Sequence, residues 1–228
     1  MQWVNNESGG IMEIFLDSAD LSLIEKYCDF IDGVTTNPSI MAKGGVTDVR
    51  KRISDICKLV SGQVSAEVIS DTYDEMVKEG KELSEIHHNV CVKLPCTFDG
   101  LRTCKTLSQK GIRTNVTLCF SATQAVLAAK CGATYISPFI GRIDDLGRDG
   151  LNLIEEIVDI YAVQEFETKV LAASVRTVNH FIQVAQIGVD AVTLPADLLE
   201  KSFHHPLTDI GLEKFMSDWS STNSKKKK

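Results

Sequence analysis

The sequence predicts an α/β protein: a single (β/α)8 TIM barrel with an extra C-terminal helix. Three observations carry this expectation. Short β-rich runs alternate with longer amphipathic segments along nearly the whole chain, and the strand candidates number eight. At 228 residues, 43% of them hydrophobic, the chain is long enough to bury one large core without division into domains. The first strand candidate is followed by "LDSADL", which has no glycine, whereas an open doubly wound sheet would normally place a Gly-rich phosphate loop there.

The strand candidates, in order, are "EIFLD" (13–17), "GVTTN" (33–37), "VSAEVI" (64–69), "VCVKL" (90–94), "TNVTL" (114–118), "TYISPF" (134–139), "KVLAAS" (169–174) and "AVTLP" (191–195). Helical patterns fall between them, among them "ADLSLIEKYCDFI", "TDVRKRISDICKLV", "DTYDEMVKEGKELSEI", "DGLRTCKTLSQKG" and "SATQAVLAAKCGA". Gly111 and Gly132 stand where helix C-caps belong, and Ser121 and Thr177 where N-caps belong. "IDDLGRDG" misses the alternating acids of a calcium loop and reads as a loop leading into a helix. The organisation expected is a mobile N-terminal extension (1–11), a barrel (12–203), a C-terminal helix (204–220) and a basic, mobile tail (221–228).

Composition narrows the partners. A net charge of -7 excludes the broad basic surface that nucleic-acid backbones require. No apolar stretch reaches the length of a membrane span, and "MQWVNNESGG" lacks the basic and apolar regions of a signal peptide, so a cytoplasmic protein without nucleic-acid or membrane partners is expected. Seven cysteines without a Cys-x-x-Cys pair read as free thiols of a reducing compartment. His87-His88 and His204-His205 read as surface pairs, because adjacent helical residues point apart. No metal is expected.

Side-chain alternation then sorts the strands into faces. It places Asp17 inward on the first strand, Thr35 and Asn37 on the second, Glu67 on the third and Lys93 on the fourth. On the fifth it sets Asn115 and Thr117 opposite Val116 and Leu118; on the sixth it gathers Tyr135, Ser137 and Phe139. For the seventh it gives Ala172, Ser174 and, past the strand end, Arg176. Any one of these polar groups could be a satisfied core residue. Burying all of them in a mere scaffold would cost about 1–3 kcal/mol for each one left unpaired.

Lys93 is the sharpest signal. A lysine inside the apolar run of "VCVKLP" needs a partner or a task. A desolvated amine can attack a carbonyl and form a Schiff base, and the iminium then acts as an electron sink for C–C cleavage if a carboxylate takes the hydroxyl proton. Asp17 and Glu67 supply carboxylates, and Asn37 and Asn115 supply amides for substrate hydroxyls. Arg142 and Arg176, with Ser137 and Ser174, would form a phosphate site at the mouth after the sixth and seventh strands.

With these motifs the sequence resembles the transaldolase family, in its short single-domain branch that also contains the fructose-6-phosphate aldolases. The resemblance covers about residues 12 to 219 and rests on "LDSAD", "GVTTNPSI", "AEV", "VKLP", "NVTLCFSATQA", "YISPFIGRID" and "LAASVRT" in order. It implies a class I mechanism without cofactor, with Lys93 as the Schiff-base lysine and Asp17 as the acid/base. Glu67 and Thr117 would position a catalytic water, Thr35, Asn37, Asn115 and Phe139 would lie along the substrate, and Ser137, Arg142, Ser174 and Arg176 would hold phosphate. Glu67 and Phe139 favour transaldolase, because the aldolases carry glutamine and tyrosine at those places. The partners implied are sugar phosphates of the pentose phosphate pathway and other copies of the chain, in a pentamer or decamer. A deoxyribose-phosphate aldolase would want a second lysine nearby; a barrel that binds sugar phosphate without catalysis would not need Lys93, Asp17 and Glu67 together.

Overall fold

The computed structural model describes residues 11–225, and within them eight parallel strands close into a barrel in sequence order, β1 to β8. The chain runs β1 (Glu13–Asp17), α1 (Leu21–Tyr27), β2 (Gly33–Thr35), α2 (Pro38–Lys43), α3 (Val49–Leu59), β3 (Val64–Glu67), α4 (Tyr73–Ser84) and β4 (Val90–Pro95). It continues through α5 (Phe98–Ser108), β5 (Thr114–Cys119), α6 (Ala122–Lys130), β6 (Tyr135–Pro138), α7 (Ile140–Asp144), α8 (Gly150–Val163) and β7 (Lys169–Ala172). The last elements are α9 (Val178–Ile187), β8 (Ala191–Leu194), α10 (Ala196–Ser202) and α11 (Pro206–Lys225). All eight strand candidates are present, several ending two residues earlier than the β-rich runs that mark them.

Local chemistry sets the helix ends. Ser121 and Thr177 cap α6 and α9 by accepting from the backbone N–H of Gln124 and His180. Asp149 caps α8, so "IDDLGRDG" is the end of the short helix α7, a turn and the entry to α8. Gly188 ends α9 at φ 90°, a left-handed conformation that a side chain would oppose.

The core has two compartments. Leu16, Val34, Ala66, Val92, Val116, Ile136, Ala172 and Val192 face the helices and belong to the large outer core. Phe15, Cys91, Tyr135, Leu171, Ala173 and Ala191 fill the barrel interior. All seven cysteines are free, and burial pushes the Cys104 and Cys119 thiols up to about 12, which suits inert core residues.

Two positions break strict alternation, and both adjoin the barrel mouth. Leu118 and Ser174 have φ of 58° without being glycine. At Leu118 the register between β5 and β6 shifts, and Cys119, which alternation would put beside Thr117, packs in the outer core. At β7 the inward residues are Leu171 and Ala173, while Ala172 faces the helices, which corrects the expected face of Ala172. Ser174 still reaches the mouth, because its left-handed backbone turns the chain there rather than because it continues the strand's alternation.

The C-terminal helix is longer than expected, starting at Pro206 and continuing through 221–225 to Lys225. Apart from Gly211, every residue of α11 up to Ser221 is exposed, including Leu207, Ile210, Phe215, Met216 and Trp219. The expected mobility of residues 1–11 and 221–228 falls largely outside the described residues. No helix among the described residues is long and apolar enough to cross a membrane.

Candidate active site

At the C-terminal ends of the strands a cavity of about 190 Å³ opens in the barrel mouth. Asp17, Thr35 and Asn37 line one side of it, Lys93 and Thr117 its base, and Ser137, Phe139, Arg142 and Ser174 the other side. Ala173 and Thr193 complete the wall. A larger surface groove between α8 and α9, about 420 Å³ and lined by Asp149, Glu155, Asp159, Gln183 and Gln186, lies away from these strand ends. Among the described residues no three His, Cys, Asp or Glu side chains group to hold a metal ion.

Lys93 is buried at 6% exposure, and register brings it its partners: Glu67 is its Cα neighbour on β3 and Asn115 on β5. Its ammonium lies 3.0 Å from Glu67 Oε2 and donates to the Thr36 carbonyl at 3.2 Å. The lysine is therefore not isolated among apolar groups, as its strand alone implies. A carboxylate holds it and can receive a proton from it.

Asp17 is the second carboxylate. Burial raises its pKa above the usual aspartate range, opposed by the charge of Lys93 and by a hydrogen bond from Thr35, while the charge of Glu67 raises it further. The Thr35 hydroxyl donates to Asp17 Oδ1 at 2.8 Å and takes its own hydrogen bond from Thr193 at 2.6 Å, so two threonines form a wire ending on the carboxylate. Such a group can exchange a proton with a bound hydroxyl nearer neutral pH than a solvated aspartate.

The amides are arranged differently from one another. Asn37 caps α2, its Oδ1 accepting from Ile40 N–H at 2.9 Å, which leaves its amide N–H groups for the cavity. Asn115, expected beside substrate hydroxyls, is fully buried and does not line the cavity. Its Nδ2 donates to Ser65 at 3.1 Å and its Oδ1 accepts from Ser137 at 2.7 Å, so it holds Ser137 in place from below. Thr117 Oγ1 is buried without a protein partner, a group free to hold water or substrate. No hydrogen bond joins it to Glu67.

The two arginines also part company. Arg142 lines the cavity, its guanidinium over the Phe139 ring at 5.2 Å, and it makes no ion pair among the described residues. Arg176 does not line the cavity; its guanidinium is held by both carboxylate oxygens of Asp145. Sequence reasoning missed Thr193, Ser65 and Asp145. The alternation of Ala191 and Thr193 against Val192 and Leu194 carries the signal for Thr193, whereas nothing local marks Asp145 as the partner of Arg176.

Residues 14–227 match the transaldolase/fructose-6-phosphate aldolase family. A probable transaldolase of Roseobacter denitrificans is 54% identical over 216 residues, 94% of this chain and 99% of that protein. One from Kosmotoga olearia is 53% identical over 210 residues, covering 91% and 96%. Among solved structures, orotidine 5'-monophosphate decarboxylase from Metallosphaera sedula aligns with a TM-score of 0.60 at 11% identity, covering 81% of this chain and 88% of that one. A putative fructose-1,6-bisphosphate aldolase from Coccidioides immitis aligns at 0.55 and 15% identity, covering 87% and 81%; both likenesses are of the barrel alone. The match along nearly the whole chain and the identity of its relatives place this protein in the transaldolase/fructose-6-phosphate aldolase family.

Proposed function

We propose that the protein is a transaldolase that moves a three-carbon dihydroxyacetone unit between sugar phosphates through a Schiff base on Lys93. The observation that carries this reading is the buried Lys93 ammonium 3.0 Å from Glu67, in a cavity that also presents Asp17. Glu67 takes a proton from the ammonium, and the free amine attacks the ketose carbonyl. Water leaves, and an iminium links donor to lysine. Asp17 then removes the proton of the hydroxyl next to the scissile bond. That bond breaks toward the iminium, the aldose phosphate departs, and an enamine remains on Lys93.

Transfer follows when the enamine carbon attacks an acceptor aldehyde and Asp17 returns its proton to the new hydroxyl. Water held beside Thr117 and Glu67 then hydrolyses the second iminium. In this account Thr35 and Asn37 orient donor hydroxyls and Phe139 walls the sugar. Asn115 acts through Ser137, and Ser137, Ser174, Arg142 and Arg176 meet the phosphate.

Release of free dihydroxyacetone, the fructose-6-phosphate aldolase outcome, is the second reading. It requires protonation of the enamine carbon, and among the described residues no tyrosine lines the cavity to orient a water for that step; Phe139 stands there instead. The test is an assay with fructose 6-phosphate, with and without erythrose 4-phosphate. Glyceraldehyde 3-phosphate formed only with the acceptor supports transfer, and equal formation without it favours the aldolase.

The same reading includes a place in the non-oxidative pentose phosphate pathway, a cytoplasmic location and a homo-oligomer. The exposed Phe215 and Trp219 of α11 support assembly, since helix residues four apart share a face and this one lacks cover from its own barrel. Sedimentation of the full chain would report a single small species if that part is wrong.

A further inference from the structure

Arg176 reaches Asp145 along a fixed path. Its stem crosses Gly141, where an added Cβ would meet Arg176 Nε and Cδ and the Ser174 backbone carbonyl, so the glycine admits both the side chain over α7 and the close approach of the Ser174 backbone. The guanidinium arrives at the end of α7, where Nη2 meets Asp145 Oδ2 at 2.6 Å and Nη1 meets Oδ1. The neighbouring carboxylate, Asp144, is otherwise engaged, accepting from Gly150 N–H at 2.9 Å and facing His180 Nε2 at 3.6 Å. Among the described residues Asp145 alone accepts hydrogen bonds from the Arg176 fork, while the charge of Asp144 also acts on the guanidinium.

That pair is open to solvent. Its side chains are 46% and 55% exposed, and an ion pair in that setting contributes little to stability. Two parallel N–H groups that grip a carboxylate fit a phosphate equally well, and a phosphate brings more charge. Arg142, three residues before Asp145, lines the cavity without an ion pair among the described residues, although its charge, like that of Arg176, helps to lower the Asp145 pKa.

We propose that Asp145 is a specificity-determining residue: its carboxylate occupies Arg176 as a competing anion, and a sugar phosphate must displace it to gain the second arginine. The proposal deepens the sugar-phosphate reading and rests on it. Asp145 thereby weakens binding of phosphorylated substrates and of free phosphate while acting little on substrates without phosphate. If Asp145 instead served to aim Arg176 at the ligand, its loss would have the opposite sign.

The test is Asp145→Asn, which keeps the shape and removes the charge. Inorganic phosphate is titrated as an inhibitor, and KM is measured for fructose 6-phosphate and for dihydroxyacetone. The phosphate inhibition constant and the fructose 6-phosphate KM should fall by about two- to fivefold, the range that an exposed ion pair commands. The dihydroxyacetone KM should move less, Asp145→Glu should keep the original constants, and Asp145→Asn should have a clearly smaller effect in an Arg176→Ala background, where only the weaker influence of Asp145 on Arg142 remains. A rise in the fructose 6-phosphate KM, no change, or equal changes for both substrates would overturn the proposal. Arg142→Ala separates the two levels. If it leaves phosphate inhibition intact, the sugar-phosphate reading itself fails; if it weakens inhibition while Asp145→Asn changes nothing, only the role of Asp145 fails.

Discussion

Phe15 and Asp17 stand two positions apart on β1 and point into the same barrel, yet they do opposite things. The same step separates Cys91 from Lys93 on β4, Tyr135 from Ser137 on β6 and Ala191 from Thr193 on β8. The lower members pack together in an apolar interior cluster, beneath which Glu13 accepts from Tyr135 and from Lys169, each at 2.6 Å. The upper members are polar and line an open cavity. One period of the pleat carries a strand from a floor that holds the barrel shut to a mouth equipped for chemistry. Changes in the floor should therefore alter stability and spare turnover, and changes in the mouth should do the reverse.

The largest effect belongs to the mouth. Lys93→Arg keeps a cation beside Glu67 but cannot attack a carbonyl, so turnover of fructose 6-phosphate should fall to background while the melting temperature stays close to that of the unaltered protein. Loss of folding along with activity would mean that the lysine is structural. In the floor, Leu171→Ala empties part of the interior and should cost about 2–5 kcal/mol in urea unfolding. Its kcat/KM at low temperature should nevertheless stay within about twofold, a ratio worth under 1 kcal/mol of barrier. A catalytic loss matching a Lys93 change would dissolve the distinction between the layers.

A smaller change sharpens the picture of the mouth. Glu67→Gln combined with Phe139→Tyr should lower transfer to erythrose 4-phosphate and raise dihydroxyacetone release, a shift of about tenfold in their ratio for about 1.4 kcal/mol between the barriers. Product analysis by coupled assay would read it. The smallest concerns Thr35. Asp17 must be ionised to accept a proton, and burial raises its pKa, so the acid limb of kcat/KM should lie above the ordinary aspartate range. The Thr35 hydrogen bond favours the ionised form, so Thr35→Val should move that limb to higher pH and leave the plateau near neutrality in place. A limb that stays put would remove Thr35 from the titration of Asp17.

What the sequence made legible follows from how local each cause is. The barrel and the inward facing of Asp17, Glu67, Lys93 and Thr117 come from alternation within single strands, and alternation is written in neighbouring residues. The ion pair of Lys93 with Glu67 depends on register between β3 and β4, which no single strand specifies. Ser174 lies in the mouth because of a left-handed backbone that only its surroundings can hold, so the alternation that seemed to place it misjudged Ala172 on the same strand. Asp145 meets Arg176 across a gap of 31 residues, through a helix too short for its pattern to mark which side faces the mouth.

Whether the polar mouth makes Lys93 a covalent catalyst can be read from borohydride reduction in the presence of fructose 6-phosphate, followed by peptide mass mapping. The peptide containing Lys93 should gain the mass of the reduced three-carbon fragment, and Lys93→Arg should gain none. Labelling at another lysine, or no labelling of a protein that still turns over the sugar, would contradict that role.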